Sequence, residues 1–289
     1  MIAELSSATK VIVQGLTGRM GRVHASHMRR YGTNIVGGTA LRADAPAEQD
    51  GIPVFADMAT AVAATGARAA IAMTPPAGTR AAAEAAFAAG IGLLVTIAEG
   101  VPVHDALAIG RAARAAGAVW VGASTPGLAV PGRMKMGFLP DVALAPGNVA
   151  LMSKSGTLSY ETGYRMVQRG LGQSRWIGVG GDPVKGVRFA DLLPVFQADP
   201  RTRAIVLVGE VGGAEEEEFA AALGATPNAK PVFAIIAGRE AKEGVSMGHA
   251  GALTWGEFGT HAVKEARLRE AGARCFATVE ALVAALARC

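Results

Sequence analysis

Short apolar runs alternate along the chain with longer amphipathic segments, and most runs are closed by glycine or a polar turn. The first run, Lys10–Gln14, is rich in β-branched residues and leads through the turn at 15–21 into a helical pattern that continues to Tyr31. Short β-branched runs are typical of buried strands, and apolar residues at every third or fourth position are typical of helices. This alternation predicts a parallel, doubly wound α/β sheet.

The same alternation continues through both halves of the chain. In the first half we predict strands at residues 34–38, 69–73, 93–97 and 119–122, and helices at 56–65, 77–89 and 103–116. In the second half we predict strands at 148–153, 177–179, 204–208 and 232–236, and helices at 158–169, 187–196, 214–223, 259–271 and 279–287. The halves share a plan of strand, small-residue turn and helix, but not a repeated sequence.

A segment with little periodicity separates the two halves. Residues 125–147 contain four prolines, which favours a linker at a domain boundary. A chain of 289 residues with 51% apolar residues is long enough for two cores. We therefore predict one α/β domain at 1–124 and a second at 148–289.

Composition argues against several classes of function. The net charge of +4 is modest and no block of five like positive charges occurs, so we expect no nucleic-acid partner. The two cysteines form no disulfide framework, residues 81–98 are interrupted by Glu84, Gly90 and Gly92, and the first residues lack the pattern of a secretory signal. We expect a cytoplasmic protein that does not bind membranes.

The glycine-rich turn at 15–21 is a variant of the dinucleotide fingerprint, in which glycines let the backbone approach phosphate groups at a helix start. An NAD site would place an acid about 20 residues further on, but residues 36–39 read Val-Gly-Gly-Thr and the next acid is Asp44. A phosphate-bearing ligand such as coenzyme A fits better than NAD. The neighbouring arginines form either a solvated helix face or a phosphate-facing edge: Arg19, Arg22, Arg29 and Arg30.

In the second half, Ser155, Gly156 and Thr157 stand where a predicted strand meets a helix. Backbone N–H groups, two hydroxyls and the helix dipole would converge there on a phosphoryl group, although an ordinary capping turn has the same sequence. Glu210 lies in the glycine-flanked loop 209–213 after another predicted strand. Ligands of open α/β sheets bind at the carboxyl edge, so Glu210 is a candidate site residue.

His249 lies between small residues, in the segment Ser-Met-Gly-His-Ala-Gly-Ala at 246–252. Such a histidine could be a structural loop residue, a metal ligand or a nucleophile that carries a group covalently. No metal site is predicted, because the other histidines are distant in sequence and neither HExxH nor CxxC spacing occurs. A carboxylate beside a histidine raises its basicity, and contact with Glu210 is possible because both residues follow consecutive predicted strands.

Six short motifs occur in order along the chain. They are QGxTGxxGxxH at 14–24, EGxP at 99–102, SGTLxYE at 155–161, GxGGDP at 178–183, GEVGG at 209–213 and MGHAGA at 247–252. Together they resemble the α subunit of succinyl-CoA synthetase and, more broadly, the nucleotide-forming acid:CoA ligases. The resemblance runs from Val11 to about Leu286. It implies a Rossmann-like domain that binds coenzyme A, followed by a flavodoxin-like domain.

The resemblance also implies roles for individual residues. His249 would be a phosphorylated histidine and Glu210 its orienting carboxylate, and the phosphate cradle would be Ser155, Gly156 and Thr157. Tyr160 would lie at the acid substrate. The residues in contact with coenzyme A would be Thr17, Gly18, Arg19, Met20, Ile97, Ala98 and Glu99.

The reaction that the resemblance implies has three steps. ATP or GTP, with Mg²⁺, phosphorylates His249; the phosphoryl group passes to the acid to give an acyl phosphate; and the thiol of coenzyme A displaces phosphate. An ATP-grasp β subunit would bind the nucleotide, in an αβ or α2β2 assembly. No GxxxxGK[ST] motif and nothing similar to an ATP-grasp domain occurs in the 289 residues.

Departures from the family pattern concern the ligand sites. Where the family has TPGKGG, residues 39–44 read Thr-Ala-Leu-Arg-Ala-Asp, and Arg42 would stand in for the lysine near coenzyme A. Where the family has GPNCPG, residues 122–127 read Gly-Ala-Ser-Thr-Pro-Gly, which places the hydroxyls of Ser124 and Thr125 at the acid. We therefore hypothesise a hydroxylated dicarboxylate, such as malate or tartrate, in place of succinate.

The sequence leaves two other classes of function to compare with the ligase. A non-catalytic CoA-binding regulatory module would have little reason to keep His249, Glu210 and residues 155–157 together. An NAD-dependent oxidoreductase is disfavoured because the ribose-binding acid is missing.

Overall fold

The computed structural model describes residues 1–41, 44–245 and 251–289. The chain divides into two compact units, one formed by Met1–Leu139 with Val184–Gly186 and the other by Pro140–Pro183 with Val187–Cys289. The predicted linker at 125–147 is therefore shared between the units instead of separating them. Within the described ranges, every helix is too short or too polar to cross a membrane.

The first unit is built on a sheet whose strands follow the Rossmann order. Its strands are β1 (Lys10–Gln14), β2 (Asn34–Thr39), β3 (Glu48–Gln49), β4 (Ile52–Phe55), β5 (Ala69–Ala72), β6 (Leu93–Thr96) and β7 (Val119–Val121). They lie in the order β3-β4-β2-β1-β5-β6-β7, and all neighbouring pairs are parallel except β3 with β4. The strand order reverses between β1 and β5, which is where ligands bind in this class of fold.

The helices of the first unit pack on this sheet through small side chains. They are α1 (Arg19–Arg30), α2 (Met58–Thr65), α3 (Pro76–Ala88) and α4 (Val103–Ala115). Asp57 caps α2 by accepting a hydrogen bond from the Thr60 N–H at 2.7 Å, and α3 begins with proline. The buried core is rich in alanine, and Ile12, Leu94 and Trp120 supply much of its bulk.

Two hairpins of the first unit were missing from the sequence prediction. Asp50 and Gly51 form a two-residue turn between β3 and β4, and both have positive φ angles, 52° and 76°. This is the Asp-Gly turn that favours tight hairpins. The second hairpin pairs β8 (Gly127–Val130) with β9 (Met134–Gly137) inside the predicted linker. Its strands are only four residues long and lack polar alternation because both are fully buried.

The strands of the second unit follow the flavodoxin-like order. They are β10 (Pro146–Ser153), β11 (Gln173–Gly178), β12 (Ala204–Glu210), β13 (Val232–Ala237) and β14 (Arg274–Phe276). They lie in the order β14-β13-β12-β10-β11, and these pairs are all parallel. The order reverses between β10 and β12, so this unit also has a ligand-binding switch point.

Capped helices cover the second sheet. They are α5 (Gly156–Gln168), α6 (Phe189–Ala198), α7 (Glu215–Gly224), α8 (His261–Glu270) and α9 (Val279–Leu286). Ser155, Thr260 and Thr278 cap α5, α8 and α9, each accepting a backbone hydrogen bond through its hydroxyl. The core of this unit contains large aromatic side chains, such as Trp176 and Phe233.

The predicted α/β class and the alternation of elements are confirmed in both units. Most predicted helices and strands differ from the observed ones by no more than three residues at either end. The exception is β11, which begins at Gln173, four residues before the predicted start at 177. Its early residues include Ser174 and Arg175, which are polar but buried. The strand β14 was not predicted.

Asp199 is held in the second unit by two arginines. Arg175 donates to its Oδ2 at 2.9 Å and Arg201 at 2.8 Å, and the Arg175 and Asp199 side chains are both buried. Burial alone would raise the pKa of Asp199, but the hydrogen bonds from Arg201 and Arg175 hold that pKa far below its ordinary value. The carboxylate therefore stays charged well into the acid range.

We predict that Asp199→Asn lowers the free energy of unfolding by about 3 kcal/mol at pH 7, because it removes the charge that faces the buried Arg175 guanidinium. The native pKa of Asp199 is depressed, so its contribution is present above the unfolded pKa of about 3.9 and is lost as the pH falls towards the folded pKa. The difference between variant and wild type should therefore shrink below about pH 4, as measured by urea unfolding across pH. Glu161→Gln, which removes the exposed partner of Arg165, is the control and should cost less than about 0.5 kcal/mol.

Candidate functional site

The turn between β1 and α1 is built by glycines that bring the backbone close together. Gly15 has a φ of +78°, and the N–H groups of Gly15 and Leu16 both donate to the Thr39 carbonyl, at 2.9 and 3.0 Å. A Cβ at Gly21 would lie 2.1 Å from the Gly15 carbonyl oxygen. Only glycine fits at Gly21 without opening the turn.

The start of α1 offers backbone donors to a ligand. Gly18 is its N-cap and provides no side-chain hydrogen bond, and the first turn contains no acid. The first N–H groups of a helix have no partner within it, and the helix dipole makes this end positive. Thr17 and Gly18 are half-buried at this point, whereas Arg19 and Met20 are exposed. Such a helix start binds phosphate groups well.

Two overlapping hollows, of about 530 and 330 Å³, run along α1 from this helix start. Asp50, from the β3–β4 turn, lines both of them. Its carboxylate lies 3.7 Å from Arg22 Nε, and its carbonyl accepts from Arg29 at 2.7 Å. The basic side chains around the hollows are Arg19, Arg22, His27, Arg29 and Arg30. The arginines of α1 are exposed, and the hollows leave room beside them for a phosphate-bearing ligand.

Asp50 is a candidate site residue, because it lines both hollows, and the sequence analysis missed it. The Asp50-Gly51 pair is a strong hairpin signal and could have revealed the turn. Its proximity to the arginines of α1 could not have been read from the sequence, since it depends on the packing of the β3–β4 hairpin beside that helix.

The ends of β6 and β7 meet on the same side of the first unit. Ile97 and Ala98 are half-buried, Glu99 is exposed, and the Ala98 carbonyl accepts a hydrogen bond from the Ser124 N–H at 2.8 Å. The structure thus joins the residues predicted to contact coenzyme A to those predicted to contact the acid.

Ser124 and Thr125 differ in how their hydroxyls are used. The Thr125 side chain is buried, and its Oγ1 accepts from the Gly127 N–H at 3.0 Å, which stabilises the turn. Ser124 is half-buried with a φ of +56°, and its hydroxyl makes no hydrogen bond to any part of the chain that the structure describes. Of these two residues, Ser124 carries the hydroxyl that is available to a ligand.

In the second unit, the start of α5 combines a cap with available donors. The Ser155 hydroxyl accepts from the Leu158 N–H at 3.3 Å, so it serves as an ordinary N-cap. The N–H groups of Gly156 and Thr157 have no partner within the helix. Tyr160, one turn later, packs near Trp176 with ring centroids 6.4 Å apart, and its burial raises the pKa of its hydroxyl.

Glu210 ends β12 as a buried residue beside β10. Ser153, the last residue of β10, pairs with Val208, so Glu210 and the start of α5 come from the two strands that flank the switch point. Lys154 is buried close by. Burial would lower the pKa of Lys154, but the charges of Glu216, Glu215 and Glu210 outweigh it and raise that pKa, so Lys154 is charged.

The described chain resumes at Gly251 against the loop that follows Glu210. A Cβ at Gly212, where φ is +87°, would lie 1.9 Å from the Gly251 carbonyl oxygen. A Cβ at Gly251 would in turn lie 2.9 Å from the Gly181 carbonyl oxygen. His249 and Arg42 lie outside the described residues. Among the residues that are described, no cluster of three or more His, Cys, Asp or Glu side chains could hold a metal ion.

Each of the two units contains a segment that matches the model of a known protein family. The family model "CoA binding domain" matches residues 6–100, and the model "CoA-ligase" matches residues 152–274. The chain is 43% identical to the succinate–CoA ligase [ADP-forming] subunit alpha 1 of Archaeoglobus fulgidus, over 94% of this chain and 92% of that protein. This chain belongs to the family of succinate–CoA ligase alpha subunits.

Members of this family are named for different acids. The chain is 41% identical to the ADP-forming sulfoacetate-CoA ligase subunit SauD of Bilophila wadsworthia, over 92% of each chain. It is 38% identical to the malate–CoA ligase subunit alpha of Methylorubrum extorquens, over 86% of this chain and 85% of that one. Family membership therefore confirms the prediction of a CoA-ligase alpha subunit over the disfavoured oxidoreductase alternative, but it does not name the acid.

We predict that Gly21→Ala destabilises the alpha subunit by about 2 kcal/mol, because the new Cβ forces the β1–α1 turn open. Gly78 is the third residue of α3, as Gly21 is the third residue of α1. A Cβ added at Gly78 would have the Thr74 Cβ, at 3.9 Å, as its nearest neighbour. Gly78→Ala should therefore be neutral or stabilising by up to about 1 kcal/mol. Urea unfolding of both variants tests this, and equal effects would contradict it.

Proposed function

We propose that this alpha subunit provides the coenzyme A site and the phosphorylated histidine of a ligase that joins a dicarboxylic acid to coenzyme A. A β subunit with an ATP-grasp domain would bind ATP or GTP with Mg²⁺, in an αβ or α2β2 complex. His249 accepts the phosphoryl group, Glu210 orients it, and the start of α5 at residues 155–157 binds phosphate. This assignment rests on the family motifs and on the geometry around Glu210.

The observation that carries the proposal is the arrangement at the switch point of the second unit. The buried carboxylate of Glu210 and the helix start at Gly156 follow neighbouring strands. The chain that leaves His249 packs, from Gly251 onward, against the loop after Glu210. A carboxylate and phosphate-binding N–H groups at one sheet edge, with a histidine two positions before Gly251 in the sequence, suit phosphoryl transfer.

The proposed reaction has three steps. A nitrogen of His249 bonds to the γ-phosphorus of the nucleotide as the nucleoside diphosphate leaves. A carboxylate oxygen of the acid then takes the phosphoryl group, which restores the histidine and gives an acyl phosphate. Finally the sulfur of coenzyme A bonds to the acyl carbon and inorganic phosphate departs. The subunit contributes mainly by positioning the reacting groups and by stabilising the charge that develops on the transferred phosphoryl group.

The first unit has the features that coenzyme A requires. The open helix start at residues 17–20 suits its pyrophosphate, and the arginine-lined hollows along α1 suit its remaining phosphate. Residues 97–99 complete the proposed contacts, together with Arg42.

We predict that the alpha–β complex, incubated with γ-labelled ATP or GTP, acquires an acid-labile, base-stable label. His249→Ala should abolish it, because the labelled nitrogen is gone. His104→Ala, which removes an exposed histidine of α4, is the control and should keep the label. A chase with candidate acids and coenzyme A then identifies the substrate by loss of label.

An unlabelled but well-folded complex, with either nucleotide, would instead support the non-catalytic CoA-binding module. Label that persists in His249→Ala would place the phosphoryl group on another residue and contradict the proposed mechanism.

For the acid, we propose a hydroxy-dicarboxylate such as malate or tartrate. The available hydroxyl of Ser124, at the loop where the family pattern has asparagine, supports this choice. A site that hydrogen-bonds a substrate hydroxyl discriminates strongly against an acid that lacks it.

We predict that Ser124→Ala lowers kcat/KM for the hydroxy acid about tenfold, the worth of one lost hydrogen bond, with little change for succinate. Thr125→Ser keeps the buried hydroxyl and is the matched control. If the wild-type complex uses succinate as well as or better than every hydroxy acid, the proposed acid is wrong.

A further inference from the structure

Two lysines are buried in the second unit and share one glutamate. Lys264 and Glu216 are 0% exposed, and Lys154 is 5% exposed. Lys264 Nζ donates to Glu216 Oε2 at 2.5 Å, and Lys154 Nζ lies 3.5 Å from Glu216 Oε1. Lys264 also donates to Glu217 Oε2 at 2.9 Å. We call Lys154, Glu216 and Lys264 the buried triad.

The buried triad forms hydrogen bonds with the backbone of residues 210–213. Glu216 Oε1 accepts from the Glu210 N–H at 3.0 Å. Lys264 Nζ donates to the Gly213 carbonyl at 2.8 Å, and Lys154 Nζ donates to the Gly212 carbonyl at 3.4 Å. Each member of the triad thus holds a different peptide group of residues 210–213.

The same loop contacts the chain before α8, both at Gly259 and at the residues that follow His249. The Gly212 N–H donates to the Gly259 carbonyl at 2.7 Å. A Cβ at Gly212 would also lie within 2.7 Å of the Leu253 nitrogen, so the two segments are in direct backbone contact. A displacement of residues 210–213 would therefore displace residues 251–253, two positions after His249.

A buried ion pair is weak evidence for a stabilising role. Transfer of charged side chains from water into the protein interior costs free energy. Apolar side chains of similar volume therefore often stabilise a protein as well as or better than a buried ion pair. Arg175 and Asp199 form another buried pair in this unit, and Asp199 also accepts from Arg201. What distinguishes the triad is the set of loop carbonyls and the Glu210 amide that it holds.

We propose that Lys154, Glu216 and Lys264 are positioning residues for the phosphoryl-transfer step. They hold Glu210 and the carbonyls of Gly212 and Gly213 in one arrangement, and through Gly212 they set the chain that follows His249. The inference rests on the proposed function, because it assigns the triad to the phosphohistidine site. None of the three is expected to touch the substrate.

The test compares variants in the complex with the β subunit and measures the rate of His249 labelling in a single turnover. Lys264→Met and Glu216→Gln each break the triad, and both should slow labelling at least tenfold at saturating nucleotide, since small misplacements cost that much. The KM for coenzyme A should not change, because its proposed site is in the first unit.

A double variant separates positioning from folding. Glu216→Leu with Lys264→Met removes two of the three buried charges, and Lys154 still has the charges of Glu215 and Glu210 nearby, so its Tm should fall less than that of either single variant. Its labelling should remain at least tenfold slow, because the Glu210 amide and the Gly213 carbonyl have lost their partners. If the single variants fail to fold, the double variant alone decides the question.

Asp199→Asn is the matched control for a destabilised second unit, and it should label at the wild-type rate. Labelling at the wild-type rate in the folded double variant, or in either folded single variant, would overturn the inference. That result is distinct from failure of the proposed function, which would appear as label that survives His249→Ala or as no label in wild type.

Discussion

Parallel strand pairing is the constraint on which both candidate sites depend. In a parallel sheet all carboxyl ends lie at one edge, so turns that are far apart in sequence converge there. The turn after β1 and the loop after β6 meet this condition in the first unit, and the start of α5 and Glu210 meet it in the second. Each unit also has a reversal of strand order, which opens a crevice between the helices on the two faces.

The two units share one structural feature, a helix start with free backbone donors at the end of a strand. In each, a strand runs into a helix whose first N–H groups have no partner within the helix, and glycine permits a close approach of backbone or ligand. The first unit surrounds its helix start with exposed arginines, which suits a ligand with several phosphates. The second surrounds its helix start with buried carboxylates and lysines, which suits transfer of a phosphoryl group between bound partners.

Sequence reasoning located the regular elements well, because helices and buried strands have local signatures. It missed elements that are short or that lack periodicity. The prolines around the β8–β9 hairpin are typical of a linker, and β14 is only three residues long, too short for a strand pattern. At the sites, the cap at Ser155 was expected from its residue type, whereas Asp50 was not connected to the arginines because their contact depends on a hairpin that had not been predicted.

The sequence by itself determined the α/β class, the two glycine-rich turns, the family motifs and the position of the candidate histidine, since each is a property of neighbouring residues. Only the tertiary structure decided which charged residues are buried. The acidic run at 215–218 has the sequence of a solvated helix start, yet Glu216 is buried between lysines at positions 154 and 264. Burial of charge depends on partners 48 or more positions away, and no local pattern encodes such a pairing.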